Sequence, residues 1–256
     1  MSEAQWYLEY LVHKQHPSLI GEIASLLGVL SINILSINGL EDDRKGILFE
    51  VDHREKIDVL KQVLKSVDQI TLTALRPITL VDRMAVRHGR YLDPGLVDKR
   101  IFQFTRDELG LLVDFMAELL KKKGNQVIGL RGMPRVGKTE AVVAASVCAN
   151  KRWTFISSTL LRQTAREQLF PDEMSGENVF IIDGIVSTQR ASENHRMLVR
   201  EILNLEATKV IEHPDIFVHQ TEFMWDQLDY IIELRNHPDE MIDYEMLDKN
   251  LIEFDM

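Results

Sequence analysis

One eight-residue segment combines the residue types that bind a chain of phosphates. Residues 132–139 read Gly-Met-Pro-Arg-Val-Gly-Lys-Thr, which is the full G-x-x-x-x-G-K-[ST] pattern. Glycines at two positions let backbone amides turn toward phosphate oxygens without a Cβ clash, and the lysine adds positive charge. The pattern therefore predicts a site for a nucleoside triphosphate, formed by Gly132, Arg135, Val136, Gly137, Lys138, Thr139 and Glu140.

The chemistry of this pattern assigns roles to individual side chains. We expect the ammonium of Lys138 to reach the β- and γ-phosphates and the Thr139 hydroxyl to bind Mg²⁺. A companion acid, Asp183, ends the apolar stretch 178–183, where phosphate-loop proteins place a carboxylate that orients the water shell of the magnesium. The predicted cofactors are ATP, or another nucleoside triphosphate, and Mg²⁺. Thr139 and Asp183 are the predicted metal residues, and Lys138 and Asp183 are candidate catalytic residues.

The elements around this segment stand where such a site needs them. Residues 125–130 predict a short buried strand before it, and the alanine-rich stretch 141–149 predicts a helix after it. The N-terminus of that helix adds its partial positive charge to an anion site. A capping box at 105–108 begins a further helix. Residues 105–256 thus predict an α/β domain with a doubly wound parallel sheet, with the nucleotide at the carboxyl edge of the strands.

Three further segments resemble the adenylate-kinase-like family, in the order that the family shows. They are a strand-to-helix corner at 155–162, the strand and turn at 180–188, and a last strand at 229–234. The resemblance implies that Arg162, a candidate catalytic residue, meets the phosphate of an acceptor, and Arg166 is an alternative for this contact. It also implies a small-molecule or nucleotide kinase that transfers the γ-phosphate of ATP.

Several departures from related phosphate-loop families predict weak catalysis. Gly184 follows Asp183, where AAA-type hydrolases usually place a glutamate as base, and Ser187 stands where the kinase-like pattern has an arginine. No glycine- and arginine-rich lid separates Asp183 from the last strand. Because phosphoryl transfer depends on positive charge around the moving phosphate, we expect real binding and slow turnover. A partner chain or a second protomer could supply the missing arginine in trans, and Arg83, Arg87 and Arg90 are candidates for that role.

The first 78 residues alternate between strand-like and helix-like patterns. Apolar and branched stretches predict strands, and apolar stripes at helical spacing predict helices, in the order βαββαβ. This is the order of a ferredoxin-like domain. The segments 16–20 and 28–34 resemble the ACT regulatory family, which implies pairing into a homodimer and a small-molecule effector. A ferredoxin-like module that serves only for dimerisation is the alternative.

The chain of 256 residues is therefore divided into an ACT-like domain at 1–78, a connector at 79–104 and a nucleotide-binding domain at 105–256. The last domain ends in an acidic tail, since residues 236–256 hold seven acids and one lysine. The formal net charge of −10 disfavours nucleic acid as a partner, because an acidic surface repels phosphate backbones.

Composition also predicts the compartment. No apolar run approaches the ~18 residues that span a bilayer, and the first residues lack the pattern of a secretory signal. Cys148 is the single cysteine, which excludes an internal disulfide and favours a reducing cytoplasm.

These observations predict an ATP-binding regulatory protein with an ACT-like sensor or dimerisation domain and weak intrinsic turnover. A small-molecule or nucleotide kinase is the alternative. A nucleic-acid-dependent ATPase is disfavoured by the acidic balance and by Gly184. The whole arrangement also resembles an uncharacterised family of Bacillus-type proteins.

Overall fold

The computed structural model describes residues 4–13, 17–92, 100–159, 161, 164–189 and 191–242. The chain divides into two compact units, Met1–Leu92 and Asp93–Met256. The fold is mixed α/β, with a four-stranded antiparallel sheet in the first unit and a six-stranded parallel sheet in the second. The predicted acceptor residue Arg162 lies outside the described residues, as does the acidic tail from residue 243 onward.

The first unit follows the predicted order of strands and helices. Its elements in chain order are β1 (Ala4–Val12), α1 (Leu19–Val29), β2 (Asn33–Gly39), β3 (Arg44–Val51), α2 (Glu55–Lys65), β4 (Ile70–Pro77) and α3 (Leu80–His88). The strands pair in the order β2-β3-β1-β4. The first six elements therefore show the βαββαβ order that the residue pattern predicts.

Both faces of this sheet carry helices. Leu8 of β1 and Leu60 of α2 share the main core of the unit. Because successive strand residues point to opposite faces, Tyr7 lies on the other face, where it packs with Val86 of α3. The open face on which dimerisation could occur is thus covered in part by α3, and the edges of the sheet are β2 and β4. Dimerisation stays a prediction.

The structure differs from the predicted connector at 79–104, because this stretch contains α3 and a strand of the second unit. The Thr79 side chain accepts a hydrogen bond from the backbone N of Asp82, and the Asp82 carboxylate accepts from the backbone N of Thr79 at 2.8 Å. This capping box begins α3, and Gly89, with a φ of 73°, ends it. Both signals are present in the sequence, and the basic residues between them belong to the helix.

The second unit alternates strands and helices. Its elements in chain order are β5 (Ile101–Thr105), α4 (Leu109–Leu120), β6 (Gln126–Arg131), α5 (Lys138–Cys148), β7 (Arg152–Phe155), β8 (Ser157–Ser158), β9 (Thr164–Ala165), β10 (Asn178–Asp183), α6 (Gly184–Gln189), α7 (Glu193–Leu203), β11 (Thr208–Glu212), α8 (Pro214–Gln220) and β12 (Tyr230–Arg235). Among the described residues, the short strands β8 and β9 form a separate two-stranded sheet. Phe180, Ile211 and Phe217 belong to one core that joins β10, β11 and α8.

Strand order decides which side chains meet at the carboxyl edge of the large sheet. The order is β5-β12-β6-β11-β10-β7, and each neighbouring pair is parallel. The last residues of the strands therefore lie along one edge. In the register, Glu212 pairs with Leu130 of β6 on one side and with Asp183 of β10 on the other. β11 thus separates Asp183 from the strand that leads into the glycine-rich loop.

No helix in the described ranges is long and apolar enough to cross a membrane.

Candidate functional site

The loop at 132–139 joins β6 to α5 and requires glycine at its two glycine positions. Gly132 has a φ of 151°, and a Cβ there would lie 2.5 Å from the carbonyl oxygen of Leu234 on β12. Gly137, with a φ of 112°, occupies the N-cap of α5. Residues that carry a side chain rarely adopt such backbone angles. The two glycines therefore set the course of the loop around the N-terminus of α5, as the sequence pattern predicts.

Lys138 is buried inside this loop. Its ammonium donates hydrogen bonds to the carbonyl oxygens of Gly132 and Met133, both at 2.9 Å. No described carboxylate forms a salt bridge with it. Burial lowers the pKa of Lys138, while the nearby charges of Glu212, Asp183 and Glu140 act in the opposite direction. The site therefore holds a buried cation whose direct partners are backbone carbonyls.

Glu212 is a site residue that the sequence reasoning missed. Its Oε1 accepts a hydrogen bond from the Thr139 hydroxyl at 2.7 Å. Burial raises the pKa of Glu212 to about 7, and the bond from Thr139 acts in the opposite direction. The sequence contains a pattern that points to this acid, because the stretch 208–212 is a buried strand that ends in an acid. The stretch 178–183 has the same pattern. Only the order of strands in the sheet shows which acid is next to the loop.

Asp183 is buried, and its carboxylate is occupied by groups of the protein. Oδ1 accepts from the backbone N of Ile185 at 3.0 Å and of Val186 at 3.2 Å. Oδ2 accepts from the Thr159 hydroxyl at 2.5 Å and from the Thr159 backbone N at 3.2 Å. A carboxylate has about four lone-pair positions, and four donors are present. Asp183 thus anchors the start of α6 to Thr159, and its role at a metal stays a prediction.

Gly184 allows a close contact that a side chain would prevent. A Cβ at this position would lie 2.7 Å from the carbonyl oxygen of His213 and 2.8 Å from that of Glu212. No glutamate can stand here without moving the end of β11. The absence of a glutamate after Asp183 therefore has a steric cause, and the carboxylate that bonds to Thr139 of the loop is that of Glu212.

His213 follows Glu212 in a strained backbone conformation. It has a φ of 53°, which is uncommon for a residue with a side chain. Its ring is buried, and Nδ1 has no hydrogen-bond partner among the described residues. Burial lowers the pKa of His213, and the positive charge of Lys138 lowers it further, so the ring is neutral. An unpaired buried polar atom is uncommon in folded proteins, and a bound polar ligand or water is one explanation for it.

Most arginines near the carboxyl edge already have carboxylate partners. Arg166, the alternative acceptor residue, donates to both oxygens of Glu173 at 2.8 and 2.6 Å. Arg131 is paired with Asp215 and with Glu233, and Arg235 also bonds to Glu233. Arg135 is exposed in the loop, with a φ of 63°. These pairs reduce the positive charge that is free to stabilise a moving phosphoryl group.

Ser187, at the position where the kinase-like pattern has an arginine, belongs to a buried chain of hydrogen bonds. Its Oγ lies 2.7 Å from the Ser157 Oγ and 3.0 Å from the Nε2 of His195. The Nδ1 of His195 lies 2.6 Å from the carbonyl oxygen of Arg166. Because a carbonyl can only accept, Nδ1 carries the proton and Nε2 accepts from Ser187. The chain therefore requires a neutral His195.

A family model matches residues 72–255 and is described as a protein of unknown function (DUF3388). The chain belongs to this family. The uncharacterized protein YmfK of Bacillus subtilis (strain 168) is 60% identical over 245 residues, which cover 96% of this chain and 91% of that protein. The predicted resemblance to a Bacillus-type family is thus confirmed. A phospho-2-dehydro-3-deoxyheptonate aldolase of Thermotoga maritima is 13% identical over 98% of this chain and 96% of its own, with a TM-score of 0.23, which supports no inference.

Burial of His195 should make the stability of the protein depend on pH. Burial lowers the pKa of His195, while the Arg166 carbonyl and the charge of Glu167 act in the opposite direction. Below pH ~6.5 the unfolded chain binds more protons at this residue, so the free energy of unfolding should fall there by up to ~1.4 kcal/mol per pH unit. His195→Gln should show a shallower fall, measured by urea unfolding at pH 7.5 and 5.5.

The control for this measurement is His219→Gln, because His219 is exposed at the end of α8. We expect this control to keep the wild-type fall. His213 contributes in the same sense and remains in both variants. An acid loss in His195→Gln equal to that of the wild type would contradict the assignment of a neutral buried His195.

Proposed function

We propose that this protein binds a nucleoside triphosphate with Mg²⁺ in the loop at 132–139 and acts as a regulatory protein with slow turnover. The observation that carries the proposal is the buried ammonium of Lys138 at the start of α5, whose hydrogen-bond partners among the described residues are two backbone carbonyls. Burying a charge that has no direct salt-bridge partner is costly, and the nearby acids Glu212, Asp183 and Glu140 do not contact the ammonium directly. A bound phosphate chain would provide that direct partner.

The backbone around Lys138 supports the same kind of ligand. α5 has 11 residues, and its N-terminus carries unpaired amides and partial positive charge toward the loop. Loop amides that face an anion need glycine where the backbone turns, and Gly132 and Gly137 are at those positions. The site therefore combines a fixed cation, a helix N-terminus and a glycine-dependent loop, which together favour a phosphate chain over a neutral ligand.

The donor atoms at this site fit Mg²⁺ bound with a nucleotide. The Thr139 hydroxyl and the Glu212 carboxylate are oxygen donors, which Mg²⁺ prefers. No cluster of three or more His, Cys, Asp or Glu residues that could hold a metal ion occurs in the described ranges. Mg²⁺ is usually held by one or two protein groups together with substrate phosphates and water. We infer that the ion arrives with the nucleotide, where it would neutralise phosphate charge.

The first unit is proposed as an ACT-like sensor or dimerisation domain. Its support is the βαββαβ order in an antiparallel sheet. The unit extends to Leu92 because α3 packs on its sheet. A homodimer, a small-molecule effector and a cytoplasmic setting all stay predictions. A kinase is the second candidate, and the pairing of Arg166 with Glu173 favours the regulator over it.

The experiment that tests the proposal compares Lys138→Met with the wild type. Methionine keeps the length and burial of the side chain but removes its charge. We expect the affinity for Mg-ATP to fall by about tenfold or more, which is ~1.4 kcal/mol, measured by titration calorimetry. Lys121→Ala is the control, because Lys121 is half exposed and pairs with Glu118 on the helix surface. Equal affinities of wild type and Lys138→Met would refute the assignment of the loop.

A further inference from the structure

We propose that Glu212, rather than Asp183, is the carboxylate that holds the Mg²⁺ of a bound nucleotide together with the Thr139 hydroxyl. This inference rests on the proposed function, and it assigns the metal residue within that site. It departs from what the sequence predicts, since Asp183 is the acid that the motif leads one to choose. The reason for the change lies in the order of the strands and in the hydrogen bonds of the two acids.

Glu212 lies closer to the loop in the sheet than Asp183 does. β11 pairs directly with β6, the strand that enters the loop, and its last residue Glu212 is in register with Leu130. β10 is one strand further away, so Asp183 is separated from β6 by the whole width of β11. Neighbouring strands lie about 4.8 Å apart. Glu212 therefore starts one strand spacing closer to the loop than Asp183.

The two carboxylates also differ in how many hydrogen bonds they accept. All four hydrogen bonds to Asp183 come from the protein, and two of them cap α6. A metal ion, or a water that it orients, would have to displace one of these donors. Glu212 accepts only from the Thr139 hydroxyl, and no described residue donates to its Oε2. Glu212 thus has a free oxygen for a ligand, and Asp183 has none.

Glu212 is already hydrogen-bonded to Thr139, the other predicted metal residue. The Thr139 hydroxyl and Oε1 of Glu212 are 2.7 Å apart. Two oxygens at this distance converge on one small region beside the loop. A cation placed there would accept electron pairs from both, and the hydroxyl proton would no longer be needed to bridge them. The contact therefore marks the place where a hard cation can replace a hydrogen bond.

An independent observation indicates that this place receives a ligand. The Nδ1 of His213, next in sequence to Glu212, is buried without a partner among the described residues. The backbone of His213 is held at a φ of 53°. Strained residues and orphaned polar atoms are uncommon in folded proteins and occur preferentially at functional sites. A water bound to the cation, or a phosphate oxygen, is a partner of suitable chemistry for this ring.

The balance of charge also requires a cation when a nucleotide binds. Asp183, Glu212 and Glu140 all lie close enough to act on the charge of Lys138. A triphosphate entering this group would meet carboxylates as well as one ammonium. A divalent ion between Glu212 and the phosphates converts that repulsion into attraction, as bound ions do in other phosphate sites. Binding of the nucleotide should therefore depend strongly on Mg²⁺.

The experiment measures the affinity of the full-length protein for ATP, first with Mg²⁺ and then with EDTA, by titration calorimetry. We expect the wild type to bind more tightly with Mg²⁺. Glu212→Gln should reduce this enhancement by about tenfold or more, as loss of a group at a metal site does. Without Mg²⁺ the same variant should bind ATP at least as tightly as the wild type, because a negative charge near the phosphates is gone. A merely structural role of Glu212 would weaken both measurements.

Asp183→Asn is the matched control, and we expect it to keep the wild-type enhancement within about twofold. A residue that supports a bound metal would instead lose about 10–100-fold in metal affinity on substitution. Glu212→Asp keeps the charge and moves it by one methylene, so it provides a second reading if Glu212→Gln does not fold. It should lose part of the enhancement and keep the Mg²⁺-free affinity.

The other outcomes show whether the assignment of Glu212 fails alone or whether nucleotide binding fails with it. An enhancement kept in Glu212→Gln, or lost equally in Asp183→Asn, overturns the assignment of Glu212 while nucleotide binding stands. Equal weakening with Mg²⁺ and with EDTA also overturns it. A wild type that binds ATP under neither condition overturns the proposed function and this inference together.

Discussion

Gly184→Ala should lower the free energy of unfolding by about 3 kcal/mol, the upper part of the usual range for an overpacked site. The added Cβ would lie 2.7 and 2.8 Å from two backbone carbonyl oxygens, those of His213 and Glu212. Flexible side chains can move away from such a contact, but these oxygens belong to the end of β11, which is paired on both sides. The expected result is a loss of stability in urea unfolding, with the slope unchanged.

Gly110→Ala is the control for this prediction. Gly110 lies in α4 of the same unit, and a Cβ there would meet nothing within 4 Å. Alanine in a helix should raise stability by roughly 0.5–1 kcal/mol. The two glycine substitutions should therefore have opposite signs. If Gly184→Ala were as stable as the wild type, the close contact between α6 and the end of β11 would not exist in solution.

The second large effect is expected in the steady-state rate. With Mg-ATP and any simple acceptor, the purified protein should turn over well below the ~1–100 s⁻¹ of typical kinases. The glycine-rich loop, Lys138 and Thr139 would bind the ground state and the transition state equally well. Only contacts that are specific to the transition state raise the rate. Arg166 is bound to Glu173, and Gly184 leaves no room for a base. An arginine that contacts the transferring phosphate can contribute ~10³–10⁵ in rate.

Lys138→Met, purified in parallel, measures the background from contaminating enzymes in this assay. Turnover that exceeds that background but stays far below ~1 s⁻¹ is the expected result. A rate above ~1 s⁻¹ with a small-molecule acceptor would contradict the regulator and favour the kinase. In that case the acceptor would identify the substrate class, and Arg162 would be the first residue to substitute.

Local patterns predicted a large part of this structure. The βαββαβ order of the first unit follows from apolar spacing, which depends only on the geometry of helices and strands. The loop from Gly132 to Thr139 is recognisable because its backbone angles demand glycine at fixed spacing. The helix α3 lies within the stretch predicted as a connector, although its capping box and terminal glycine are local signals in the sequence.

The sequence by itself determined the loop, the buried strands on both sides of it and the acids that end two strands. It could not determine which acid lies beside Thr139, because Asp183 and Glu212 end strands of the same pattern and only the sheet order distinguishes them. That order depends on contacts between residues far apart in the chain, such as the pairing of β6 with β11 across about eighty positions. Tertiary structure therefore placed Glu212 at the loop and left Asp183 to hold α6, since two strands cannot occupy the same place next to β6.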